Sequence, residues 1–177
     1  MNPWHRVNKN RITPELFLAC IEISKGSKNK YELDKESGAL ILDRILYTST
    51  QYPHNYGFIP LTYSGDNDPL DVLILCTQPI VPLAFVEAYP IGVLLMTDNG
   101  EVDEKVIAVA KNDPFYNVFK DIANLPEHAL SEIKHFFEVY KTLEGKSTVV
   151  HEFKGPDFAK KIIKEALDRY QEIIAKK

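Results

Sequence analysis

Two kinds of hydrophobic spacing divide the chain. In the N-terminal part, short apolar or alternating runs are cut by Gly, Pro, Asn and Asp, the pattern of strands joined by turns. Leu16 to Ile23 is apolar and rich in β-branched residues and predicts a strand. Gly26 to Asn29 is a turn, and Lys30 to Leu33 alternates polar with apolar as a half-buried strand does. Asp34 to Gly38 has hairpin-turn chemistry, and Ala39 to Leu46 continues extended. Further strands are expected at His54 to Pro60, Val72 to Cys76, Phe85 to Met96 and Val106 to Val109. After Pro126 the period changes. Leu130, Ile133, Phe136, Phe137, Tyr140 and Leu143 recur at helical spacing until Gly145. A second helix opens at Pro156, with Phe158, Ile162, Ile163, Ala166, Leu167, Tyr170 and Ile174 on its apolar face. The pattern predicts a mainly β fold with α-helices: many short strands in a closed barrel and two C-terminal helices packed outside. The first dozen residues have no clear period.

Length narrows this picture. At 177 residues the chain suits a single domain, spanning 1–177, with a sizeable core. No apolar run reaches the length of a membrane span, and the N-terminus lacks the apolar stretch of a signal peptide. Cys20 and Cys76 sit apart within apolar segments and read as buried free thiols, which fits a reducing, cytoplasmic setting. A net charge of −4 gives no support to nucleic-acid binding through a general basic surface. No Gly-rich phosphate loop is present, and the five histidines show no metal-ligand spacing.

One loop changes the functional question. Asp66-Asn67-Asp68-Pro69-Leu70-Asp71 crowds three carboxylates ahead of the apolar run Val72 to Leu75. Crowded carboxylates resist joint ionisation unless cations hold them, and Mg²⁺ or Ca²⁺ takes such oxygen ligands. The alternative is a solvated acidic turn. An EF-hand does not fit, because Leu70, Asp71 and Thr77 stand where that loop needs Asp or Asn, Gly and Glu. Asp98 and Asp103 flank the turn Asn99-Gly100, and Glu22 and Glu32 fall on or beside predicted strands. Lys30, Arg44, Lys105 and Lys141, with Tyr52, Tyr56 and Tyr140, could supply donors to phosphate oxygens. Each taken alone reads as a solvated or core residue. Two rivals stay open at this level: a two-metal phosphatase for phosphoesters or nucleotides, and a barrel that binds single-stranded nucleic acid.

These segments together resemble the soluble family I inorganic pyrophosphatases. The loop from Asp66 to Val72 matches that family's signature. The hairpin Lys30 to Gly38, the segment Tyr52 to Ile59, the run Met96 to Lys105 and the helix segment His135 to Lys141 resemble further family segments in the same order. Asn67 stands where Gly is commoner, and Ser24 and Ala110 where Pro is frequent. The resemblance implies a five-stranded OB-like barrel and hydrolysis of inorganic pyrophosphate to two phosphates with several Mg²⁺ ions. By that likeness Asp66, Asp71 and Asp103 would ligate the tightest ion, Asp71 would also reach a second, Asp98 and Asp103 would hold a third, and Glu32 would help with a fourth. Asp68 would be the general base. Lys30, Arg44, Tyr56, Tyr140 and Lys141 would bind phosphate, with Glu22, Tyr52 and Lys105 in support. The short chain is similar to the bacterial branch, whose members are typically homohexamers, and the helix carrying His128 and His135 is the expected contact surface.

Overall fold

The computed structural model describes residues 2–176, and their eight strands and two helices follow the predicted order closely. The strands are β1 (Phe17–Ile23), β2 (Asn29–Leu33), β3 (Leu40–Ile45), β4 (Asn55–Ile59), β5 (Leu70–Leu75), β6 (Phe85–Asp98), β7 (Glu101–Ala110) and β8 (Thr148–Lys154). The helices are α1 (Glu127–Val139) and α2 (Pro156–Ala175). Strand order is β1-β4-β5-β7-β6-β8, and β1 also pairs with β6. That extra pairing closes a five-stranded ring, so β1 and β6 shield each other's edges. Within the ring β5 and β7 run parallel, and the other pairs are antiparallel.

A period of two explains how an unbroken apolar run serves both faces of this ring. Leu70, Val72 and Ile74 of β5 join a core that α2 covers with Ala159, Ile162, Ile163 and Ala166. Leu73 and Leu75 point the other way, into a core shared with Ile133, Phe136, Phe137 and Tyr140 of α1 and its end. Val106 and Ala108 of β7 alternate with Ile107 and Val109 in the same manner. Counting back by twos from the α1-side residues reaches Asp71 on β5, and Lys105 and Asp103 on β7. The polar end of that one face is therefore set by register before any contact is considered.

Local chemistry fixes the edges of this arrangement. Gly57 pairs near Cys20 and Ile21, and a Cβ there would meet the Cys20 carbonyl oxygen at 1.9 Å. Only glycine lets β1 and β4 approach so closely. Asn99 and Gly100 both have positive φ, 50° and 82°, as a two-residue hairpin turn between β6 and β7 requires. The hairpin β2–β3 is a separate two-stranded sheet projecting beside the ring.

Three features differ from the sequence reading. β8 adds to the β6 edge, where no element was expected between the helices. Its sequence mixes Thr, His, Glu and Lys with few buried positions, as suits an edge strand. The first helix stops at Val139 and tightens into a 3₁₀ turn at Thr142–Glu144. Leu143 therefore leaves the apolar stripe and is 68% exposed. Phe158 and Ile174, expected on the apolar face of α2, are also exposed. Cys20 is buried and Cys76 partly so, both as free thiols.

Candidate active site

The acidic loop has a built shape. Ser64 donates its hydroxyl to Asp66 Oδ1 (2.6 Å), and the Asp68 N–H donates to the same oxygen (3.0 Å). Asn67 sits at φ 64°, the left-handed region that Asn and Gly occupy with least strain, which explains why Asn can stand in a position often held by Gly. Beneath the loop, Thr62 accepts the Leu70 N–H and donates to the Ile59 carbonyl, and the Trp4 indole donates to the Thr62 carbonyl. The loop therefore enters β5 from an anchored base.

Asp66, Asp68 and Asp71 line a cavity of about 310 Å³ together with Glu22, Glu32, Asp98 and Asp103. Lys30, Lys35, Lys105 and Lys141 line it too, with Tyr31, Tyr52, Tyr56 and Tyr140. Several elements converge there: β1, β4 with the segment before it, the acidic loop with β5, the β6–β7 hairpin, the β2–β3 hairpin and the end of α1. Every predicted site residue lies in this lining except Arg44. Its guanidinium is held by Asp43 and Glu144, with Nε 2.7 Å from Glu144 Oε1.

Carboxylates outnumber ammonium groups in the cavity, and each lysine leans on one or more of them. Lys105 Nζ reaches Asp71 Oδ2 (2.6 Å), Asp103 Oδ2 (3.0 Å) and the Tyr56 hydroxyl (2.9 Å). Burial works against its charge, but Asp71, Tyr56 and Asp103 outweigh burial and hold the ammonium charged well above the usual lysine range. Asp71 is itself raised, by burial first and the Asp103 charge as well, with Lys105 opposing. Lys141 pairs with Asp98, Lys30 with Glu32 and Lys35 with Asp68. Glu22 is buried on β1 and accepts the Leu33 N–H at 2.8 Å. Burial, followed by the Asp71 charge, pushes its carboxyl up to about 8, and the Leu33 N–H and Lys30 oppose this. Tyr52, Tyr56 and Tyr140 are buried phenols whose ionisation burial disfavours, so they serve as neutral donors at ordinary pH.

The donor set is entirely oxygen, which suits a hard divalent cation. As the side chains lie, no group of three or more acidic, His or Cys residues among those described converges on one point, and each cavity lysine pairs with at least one carboxylate. Asp68 Oδ1, ion-paired with Lys35 but without a hydrogen bond, and Asp98 Oδ1 mark the unmet demand. Asp98 Oδ1 is buried without a hydrogen-bond partner, although its Oδ2 meets Lys141. A buried acceptor in that state fits a cation ligand.

Residues 19–171 match the family described as inorganic pyrophosphatase. The chain belongs to the inorganic pyrophosphatase family. Soluble inorganic pyrophosphatase 2 of Chlamydomonas reinhardtii is 53% identical over 171 residues, covering 97% of this chain and 89% of that protein. Soluble inorganic pyrophosphatase 1 of Arabidopsis thaliana is 47% identical, with 98% and 82% covered. The crystal structure of the Thermus thermophilus inorganic pyrophosphatase superposes with a TM-score of 0.92 at 39% identity, covering 97% of this chain and 99% of that one. The chain is thus an inorganic diphosphatase with the OB-like fold of family I. Sequence reasoning missed three polar residues of this pyrophosphatase. Lys35 lies in the hairpin turn, where a lysine reads as solvated. Asp43 and Glu144 engage Arg44 only through tertiary placement, and neither belongs to a recognisable motif.

Proposed function

We propose that this chain, working as one domain in the cytoplasm, hydrolyses inorganic pyrophosphate to two phosphates with Mg²⁺. The observation that carries the reading is the set of seven carboxylates lining one cavity beside four lysines and buried tyrosine hydroxyls. Asp66, Asp71 and Asp103 are the residues assigned to hold the tightest ion, with Asp71 shared by a second. Asp98 and Asp103 are assigned to a third that enters with substrate, and Glu32 to a fourth, largely through water. Divalent ions held there would supply charge neutralisation for the substrate and would lower the pKa of a coordinated water.

The chain's own residues carry the remaining work. Asp68, half-buried in the cavity lining, is the residue assigned to accept the proton of the attacking water. Lys30, Lys141 and Arg44 supply charge to phosphate oxygens, and Tyr56 and Tyr140 supply hydroxyl donors that stay protonated. Lys105 holds Asp71 and Asp103 in a fixed spacing, and Glu22 braces the hairpin through Leu33. Tyr52 is packed between Tyr56 and Phe136 and keeps the phenolic wall rigid.

Phosphate release from Mg²⁺-pyrophosphate, ATP and a simple phosphomonoester tests the assignment. Rapid release from pyrophosphate alone is expected. Comparable release from ATP or the monoester would mean a broader phosphatase.

A further inference from the structure

Resting on the reading of Arg44 as a phosphate ligand, we infer that Glu144 is a positioning residue that clamps the Arg44 guanidinium and thereby ties the β2–β3 hairpin to the end of α1. No ladder joins the hairpin to the ring; Tyr31 of β2 packs against the core that includes Tyr140, and the hairpin carries Lys30, Glu32 and Arg44. Across from it, the end of α1 carries Tyr140 and Lys141. Glu144 lies three residues beyond Lys141 in a one-turn 3₁₀ segment. That segment is closed by Gly145 at φ 72°, so the carboxylate stands on a short, stiff support.

Glu144's side chain is only 6% exposed, and Arg44's is 18%. Arg44 Nε lies 2.7 Å from Glu144 Oε1. Arg44 Nε and Nη2 and Glu144 Oε2 are all buried without a hydrogen-bond partner, so the Nε contact is an ion pair that is not aligned as a hydrogen bond. These orphans complement each other. A guanidinium presents Nε and Nη2 side by side, and a carboxylate presents two oxygens, so a small rotation closes a two-bond fork. Asp43 takes Nη1 from the other side. Of the five N–H bonds of the guanidinium, about two are then left for a phosphate oxygen, and the side chain is already ordered. Holding Arg44 in place lowers the entropy lost when substrate binds. The effect belongs to binding more than to the chemical step.

Steady-state kinetics and proton exchange test the clamp together. Glu144→Ala is expected to raise KM for Mg²⁺-pyrophosphate about tenfold, with kcat within about threefold of wild type. Glu144→Gln keeps the shape and one acceptor and should fall between. In an Arg44→Ala background, adding Glu144→Ala should change KM less than about twofold, because the residue it positions is gone. Independently of turnover, the Arg44 Nε–H proton should exchange with water at least about tenfold faster in Glu144→Gln than in wild type. An unchanged or lower KM in both Glu144 variants, full additivity with Arg44→Ala, or equal exchange rates would overturn the clamp. A wild-type chain inactive on pyrophosphate would instead overturn the functional reading, and the exchange measurement would still decide the clamp.

Discussion

Lys105 is the residue on which the cavity turns. It is 4% exposed and faces Asp71, Asp103 and Tyr56, so its ammonium neutralises carboxylates that would otherwise repel one another. Removing one partner of a buried ionic cluster is costly, on the order of 3 kcal/mol. Lys105→Met should therefore lower the Tm of metal-free protein, and added Mg²⁺ should raise the variant's Tm more than that of wild type. Equal Mg²⁺-induced shifts in a thermal melt would mean that Lys105 does not share the ions' role. His54 makes a separate prediction. It is buried edge-on to Tyr116, its Nδ1 has no hydrogen-bond partner, and burial, aided by Lys25, pushes its pKa down to about 4. The unfolded chain takes up this proton near pH 6.5, so between there and pH 4 it binds more protons than the native state, and stability falls as pH falls. Relative to wild type, His54→Phe should gain about 2 kcal/mol between pH 7 and pH 5 in urea titrations. A pH-independent difference would contradict this. At this scale the sequence was legible where residues share a motif, as in Asp66 to Asp71. It was silent on His54, Asp43 and Glu144, whose significance comes from burial and distant partners.

At the scale of elements, close approach and register decide the outcome. Gly57→Ala would place a methyl group 1.9 Å from the Cys20 carbonyl, so β1 and β4 must separate. Loss of several kcal/mol is expected in denaturant unfolding, since overpacking and a broken ladder act together. A loss below about 1 kcal/mol would show that the ring can open there without consequence. Apolar runs cut by turn residues made the seven strands before α1 readable, β1, β4 and β5 being buried almost throughout, and helical spacing revealed both helices, each of which buries a stripe. β8 escaped notice because an edge strand with one well-buried residue, Val150, carries little pattern. The end of α1 was read too long because Tyr140 and Leu143 keep helical spacing, whereas the chain tightens after Val139 and carries Lys141 to Asp98.

For the whole molecule, assembly is the open expectation, and we propose a homohexamer. Ile41, Leu42, Ile45 and Tyr47 on and beside β3, and Val81, Leu83 and Phe85 near β6, are exposed apolar residues available to self-complementary contacts. His128 and His135 on the outer side of α1 remain the candidate contact proposed from the sequence, and both are exposed in the isolated chain. Light scattering at micromolar concentration should give six times the chain mass of 20.2 kDa. A monomer would defeat the proposal.

The central claim is that this cavity holds divalent ions which, with Asp68, hydrolyse pyrophosphate. It is tested most directly by phosphate release across a Mg²⁺ titration of wild type, Asp71→Asn and Asp68→Asn. Wild-type turnover should rise from nothing with added Mg²⁺ and saturate. Asp71→Asn should need far more Mg²⁺ and reach a rate lower by about two orders of magnitude or more, because a shared metal ligand is lost. Asp68→Asn should keep the wild-type Mg²⁺ midpoint and lose turnover. Phosphate release by wild type without divalent ions, or an Asp71→Asn curve that overlays the wild-type one, would contradict the account.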